Sequence, residues 1–215
     1  MKNILVVSFV FLLQSCTILN IKQDNAGTSR SLVFTENKKW LINNLYSDLY
    51  STDREKMNQK IFETFSTLSK GNAFTLESAR KDNLLRSTFP FVPSEEDIEQ
   101  LKNTTDFDFL VNIRTLVVKD QIALVETSRP LMYSKNEAFA LLEVYDIKTG
   151  KKIYTQKASA MKSMEGQKEF PQLNNEGNWQ NKDEDKGPFF SPSGSQISIK
   201  CLKKILRNIK SNAIQ

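Results

Sequence analysis

Two cysteines, no histidine and a scatter of carboxylates bound the chemistry this 215-residue chain can carry. Without an imidazole there is no Ser-His-Asp or Cys-His arrangement, and the commonest general base and metal ligand are missing. Zinc sites draw on cysteine and histidine at close spacing, so no metal ligand is expected. The seven glycines stand singly, and none belongs to a phosphate-cradling loop. Carboxylate-based hydrolysis of a glycan would need two acids facing each other across a cleft. Glu126, Glu137, Glu143 and Asp146 are the nearest candidates on predicted strands, and no spacing among them singles out a pair. The acids Glu95, Glu96 and Asp97 follow Ser94, where helix capping and the helix dipole account for them. Cys201 sits among Ile199, Leu202 and Ile205 and reads as a small buried hydrophobe. The chain is therefore expected to have no catalytic residue and no cofactor, and to be no enzyme.

Cys16 is different because of what precedes it. Lys2 gives a positive start, Ile4 to Leu13 is apolar apart from Ser8, and Leu13-Gln14-Ser15-Cys16 follows. An apolar run of about ten residues is half of the roughly twenty that a membrane-spanning helix needs. It reads as a secretory signal over residues 1–15. The ending resembles the bacterial lipoprotein signal, the lipobox, with Leu13 three residues before the cysteine and a small Ser15 just before it; Gln14 stands where a small residue is usual. The resemblance implies cleavage before Cys16, acylation of its sulfur and of the new amino terminus, and attachment to a membrane through those acyl chains. Thr17 is not the aspartate that holds lipoproteins in the inner membrane of enteric bacteria, which by analogy favours the outer membrane, with the side left open.

The remainder divides into a flexible tether, 16–37, and a single domain, 38–215. Thr17 to Ser31 is polar and short of aromatics. Lys38 to Tyr46 is expected to be a first strand, and Thr52 or Asp53 to cap a helix running to about Lys70, ended by Gly71 and Asn72. Ala73 to Ser78 reads as a short strand, and Ser94 as the cap of a second helix. From Phe107 the alternation of Phe109, Val111, Ile113 and Thr115 marks a half-buried strand, with Lys119-Asp120 a turn into Ile122 to Thr127. After Ser134-Lys135-Asn136 comes a strand from Ala138 to Ile147, with Phe139, Leu141, Glu143 and Tyr145 on one face. Lys148-Thr149-Gly150-Lys151 is a hairpin turn, and Ile153 to Ala160 returns antiparallel. Ser163 to Gly187 reads as a long mobile loop carrying Phe170 and Trp179. Ser191-Pro192 is expected to open a last helix. Its apolar face holds Ile197, Cys201, Leu202, Ile205 and Ile209, and its basic face holds Lys200, Lys203, Lys204, Arg207 and Lys210.

The segment Phe107-Asp108-Phe109-Leu110-Val111-Asn112-Ile113, with the hairpin Leu142 to Tyr154 around Asp146-Ile147-Lys148-Thr149-Gly150, resembles the α/β domain of certain envelope lipoproteins. These are the curli-secretion lipoprotein, the lipoprotein activators of penicillin-binding proteins and the amino-terminal domain of the Tol translocation protein. The strand lacks the glycine often found just after it in those families. The expected fold is α/β (α+β): a mixed, mainly antiparallel sheet of about five strands, helices packed on it, and a closing carboxyl-terminal helix. The resemblance implies binding or assembly rather than catalysis, with an envelope protein or a cell-wall polymer as partner. Nucleic acid is a poor partner for an exported protein, even one with net charge +5. Phe170, Trp179, Lys203, Lys204 and Arg207 are the candidate partner-binding residues. A small-molecule-binding lipoprotein is the alternative, and it would need a concave apolar pocket.

Overall fold

The computed structural model describes residues 19–25, 31–82, 85–86, 88–120, 131–167, 172–173, 179–180 and 192–214. Their elements are β1 (Ile21–Asn25), β2 (Trp40–Ile42), α1 (Ser51–Leu68), β3 (Ala73–Thr75), α2 (Leu76–Asp82), α3 (Glu95–Thr104), β4 (Phe109–Asp120), β5 (Leu131–Asp146), β6 (Lys152–Gln167), β7 (Gln172–Leu173), β8 (Trp179–Gln180) and α4 (Gly194–Asn212). Six strands form one sheet in the order β1-β6-β5-β4-β2-β3, and β7 pairs with β8 apart from it. The long strands β4, β5 and β6 and the outer β1 are antiparallel. β2 runs parallel to both β3 and β4, because a helix crosses over between each pair.

Period-two alternation sorts the strand residues onto two faces. Trp40, Ile42, Val111, Ile113, Leu142 and Val144 join α1 and α4 in the larger core. Leu41, Leu110, Tyr145 and Ile147 meet α2 and α3 in a smaller one. Buried on both faces, the Trp-Leu-Ile run of β2 is continuously apolar, as an inner parallel strand should be. Trp40 anchors the larger core: the Phe34 ring stacks on it at 4.5 Å, and the Phe109 and Phe65 rings lie at 4.4 and 5.8 Å.

Several local signals act one or two residues from where the sequence places them. α1 starts at Ser51 with Tyr50 as its N-cap, and Thr52 and Asp53 lie inside its first turn. Lys70 and Gly71 take positive φ of 53° and 90° after its end, and the Gly71 N–H donates to the Ser66 carbonyl at 2.8 Å. β3 stops at Thr75, whose Oγ1 accepts from the Ser78 N–H at 3.1 Å and opens α2, a helix where a longer strand was expected. Ser94 caps α3 in a reciprocal box with Asp97, as expected. α4 opens on Ser193 and Gln196, a second such box, in place of Ser191-Pro192. Gly194 sits where a β-carbon would overlap Val117 of β4. Gly150, at φ 71°, closes the β5–β6 turn as expected.

One expected turn is strand instead. Lys119 and Asp120 pair with Glu137 and Asn136, so local polar signals yield to a ladder continued from both sides. A bulge between Val117 and Lys119 takes up the extra residue Val118. The expected strand Ile122 to Thr127 lies outside the described residues. β6 likewise continues through Ser163 to Gln167, and β7 and β8 fall inside the expected long loop.

The amino-terminal segment departs most from its reading as a tether. Ile21 to Asn25 pairs residue for residue with Ala160 to Gln156, and Leu19 and Ile21 pack against the larger core. Leu32 and Phe34 are buried in it, and the Phe34 N–H donates to the Ile214 carbonyl at 2.8 Å.

Candidate binding surface

The helices cover the two faces of the sheet unequally. On the face opposite α1 and α4, α2 and α3 reach Leu41, Leu110, Tyr145 and Ile147. No helix among the described residues lies over the rest of that face, where β4, β5 and β6 run on together. The register sets its rows: Asn112, Glu143 and Thr155; then Arg114, Leu141 and Lys157; then Leu116, Phe139 and Ser159; then Lys119, Glu137 and Met161. In an antiparallel sheet with one solvated face, the outward positions are normally polar. Here Leu116, Phe139 and Leu141 are half-buried, and Met161 and the bulged Val118 are 51% and 47% exposed.

Cations are laid over the aromatic groups of this surface. The Lys157 ammonium sits 5.0 Å from the centre of the Phe139 ring, and the Arg114 guanidinium 5.9 Å from that of Phe91. Phe91 is held at the border by a buried amide network. Asn43 Nδ2 donates to the Phe89 carbonyl at 2.9 Å and to Asn112 Oδ1 at 3.1 Å, and Asn112 Nδ2 donates to the Phe91 carbonyl at 2.8 Å. Every exchange in that set is satisfied, which fixes loop and sheet as one unit. The arrangement is apolar at its centre, with Arg114 and Lys157 on either side of Leu141, a composition suited to a contact surface.

The carboxylates do not converge. Glu143 is buried and accepts from the Tyr145 hydroxyl and the Lys152 ammonium, each at 2.8 Å. Burial first, then the hydrogen bond to Glu143, pushes the Tyr145 hydroxyl far above its ordinary pKa. Asp146 holds the hairpin turn, its Oδ1 accepting from the Thr149 N–H at 3.1 Å. Glu137 lies six residues from Glu143 on the same face of β5, about 20 Å away along the strand. Glu126 is outside the described residues.

A separate cluster surrounds Asp108, which ties the start of β2 to the hairpin turn. It accepts from Lys38 at 2.9 Å, Lys148 at 2.8 Å and the Lys39 N–H at 3.0 Å. Burial alone would raise its pKa; the bonds from Lys148, Lys38 and the Lys39 backbone outweigh it and hold it at about 2. Two open grooves of about 540 Å³ each flank this cluster. One lies between α2 and Asp106, and the other between α3 and the β5–β6 turn. Polar and charged residues outnumber apolar ones around both, whereas a small-molecule site is lined mainly by apolar side chains.

Among the residues singled out from sequence, Lys203, Lys204 and Arg207 stand on the outer side of α4, with Lys204 and Arg207 exposed. They are on the opposite face of the sheet from Phe139 and Leu141, so the structure does not bring these two groups together. Trp179 is paired with Leu173 between β8 and β7. Cys16 and Phe170 lie outside the described residues. Cys201 is fully buried where α4 packs on the sheet, and burial pushes its thiol up to about 12, in keeping with the packing role expected of it. Sequence reasoning did not single out Arg114, Leu116, Phe139, Leu141, Lys157 or Met161 as a surface. The available signal was β5 itself, which is apolar at both parities from Ala138 to Leu142 while only one face has a long helix to cover it.

No protein-family model matches the chain, and no curated protein matches its sequence. Solved structures with a similar course of chain include the PelC dodecamer from Paraburkholderia phytofirmans, with 8% identity over 90% of this chain and 99% of the other and a TM-score of 0.42. Lipoprotein GNA1162 from Neisseria meningitidis matches with 14% identity over 59% and 83% of the two chains and a TM-score of 0.34. A Helicobacter pylori homologue of the neuraminyllactose-binding hemagglutinin matches with 8% identity over 86% and 91% and a TM-score of 0.39. At such identities and scores these likenesses assign no function, and the resemblance to the curli-secretion group rests on the strand and hairpin motifs alone.

Proposed function

We propose that this protein is a lipid-anchored, non-enzymatic module of the bacterial envelope that captures a partner protein on the helix-free face of its sheet. One observation carries the reading: outward positions that should be polar hold Leu116, Phe139, Leu141 and Met161, bordered by Arg114 and Lys157. Exposed apolar area rimmed by charge is the signature of a protein contact, since leaving it in water is unfavourable. The anchor is Cys16, by its lipobox-like context, and the outer membrane is the favoured location, by Thr17. No helix among the described residues is long and apolar enough to cross a membrane.

Two experiments test the proposal. Mass spectrometry of the chain from membrane fractions should find an acylated amino-terminal Cys16; an unmodified chain in the soluble exported fraction would remove the anchor. For the surface, a photo-crosslinking residue at Met161 in the full chain, activated in living cells, should yield a discrete protein adduct. The same residue at Lys102 on α3 should not, and Leu141→Lys should abolish the Met161 adduct. Equal, diffuse labelling from both positions sinks the partner surface.

A further inference from the structure

The geometry points to the basic face of α4 as a second contact surface, one that lies against the anionic phospholipid headgroups of the membrane holding the anchor. The inference rests on acylation of Cys16, and three observations extend it to α4. First, Leu19 is already packed against the core, so Cys16 is only three residues from a fixed point. Fully extended, that stretch reaches about 10 Å, too little to hold the domain clear of the headgroups. Second, the chain enters the fold beside α4: β1 is the edge strand next to β6, and Gln23 Nε2 donates to the Lys204 carbonyl at 3.5 Å. The anchored end and α4 thus share one edge of the molecule.

Third, the charge on α4 has one sign. Lys200, Lys203, Lys204, Arg207 and Lys210 occupy its outer side, opposite Cys201, Leu202, Ile205 and Ile209, and the helix has no acidic residue. They span about 15 Å of helix. None of these cations takes part in an ion pair among the described residues. The neighbouring α1 differs, mixing Glu55 and Glu63 with Lys56 and Lys60. Attraction to a charged surface fades within a Debye length of about 8–10 Å at physiological salt. The short reach from Cys16 keeps this edge of the domain close to the lipid, where a longer tether would leave the stripe idle. With α4 turned to the lipid, the opposite face of the sheet, carrying Phe139 and Leu141, points away from the membrane.

Lipidated full-length protein, its Cys16 verified by mass, is added to preformed vesicles of phosphatidylcholine with or without phosphatidylglycerol. Exposed amines are then acetylated with a membrane-impermeant reagent and read residue by residue. Lys200, Lys203 and Lys204 should react about fivefold more slowly on the vesicles containing phosphatidylglycerol. Lys81 and Lys102, on the far face, should be unchanged, and Lys204→Glu/Arg207→Glu should restore the labelling of Lys200. Acylated Cys16 with equal rates on both vesicles overturns the α4 surface and leaves the anchor standing. An unmodified Cys16 overturns the anchor and the α4 proposal with it.

Discussion

Asp108 accepts from two ammonium groups and a backbone N–H while its own side chain is largely shielded, so its charge is built into the fold. Its folded pKa of about 2 lies below the ordinary 3.8, so the stabilisation is fully present above 3.8 and is lost as pH falls through about 2. Both lysines are partly solvated, which limits the effect to about 1–2 kcal/mol. Asp108→Asn should lower stability by that amount at neutral pH and flatten the acid limb of the urea midpoint plotted against pH; an unchanged acid limb would show that the cluster contributes nothing. Cys201 makes a kinetic prediction. A buried thiol pushed up to about 12 should resist iodoacetamide at pH 8 in the native protein and react in full once urea unfolds it, as followed by mass. Reaction at equal rates in both states would contradict its burial.

At the scale of elements, Gly194 is the position where one added carbon matters most. A β-carbon there would enter the space of Val117, so Gly194→Ala should cost about 1–3 kcal/mol in urea denaturation, although alanine is the better helix former. Ser94→Ala removes the hydroxyl that accepts from the Asp97 N–H, leaves the Ser94 backbone N–H on the Asp97 carboxylate, and should cost about 1 kcal/mol. The contrast shows what could be read in advance. Ser94 and Asp97 form a local device, fully written in four consecutive residues, and the glycine turn at Gly150 is as local. Ser193 was passed over because Ser191-Pro192 offers an equally good local pattern two residues earlier. Gly194 could not be read at all, since Val117 is distant in sequence and meets it only when α4 docks on β4. The polar residues at 119–120 and 134–136 misled for the same reason: their strands are dictated by distant partners, 119–120 by Glu137 and Asn136, and 134–136 by Met164, Ser163 and Lys162.

For the whole molecule, the boundary between tether and domain moves. Leu19, Ile21, Leu32 and Phe34 all pack in the larger core, so a chain beginning at Lys38 should be less stable than one beginning at Thr17. Loss of Leu32 and Phe34 alone should cost about 3–6 kcal/mol, visible as a lowered urea midpoint. Equal midpoints would return the segment to a passive tether. The polarity of Gln23, Asp24 and Asn25 hid this role, because an edge strand needs only its backbone and one inward side chain in two. The helix-free face was half legible: Phe139 and Leu141 were placed on one side of their strand, but which helices would cover that side depends on crossovers that no local pattern records. The cationic stripe of α4 was legible as a stripe, and its place beside the anchored end was not.

The outer strands of this sheet bear on how it can grow. At one rim β3 is three residues long, and at the other β1 is five, with Lys22 and Asp24 exposed along it. A very short rim such as β3, and a short charged one such as β1, are poor templates for a further strand. Along β1 and β3, a neighbour that donated a strand, whether a second copy or an extended peptide, would find little ladder to continue, whereas β6 beyond Ala160 and β5 before Asn136 carry no outer partner strand among the described residues. At those two rims recognition is thereby left to the broad faces beside them, where side chains decide who binds, and strand stacking, where almost any backbone would do, is left to the far end of the β5–β6 hairpin.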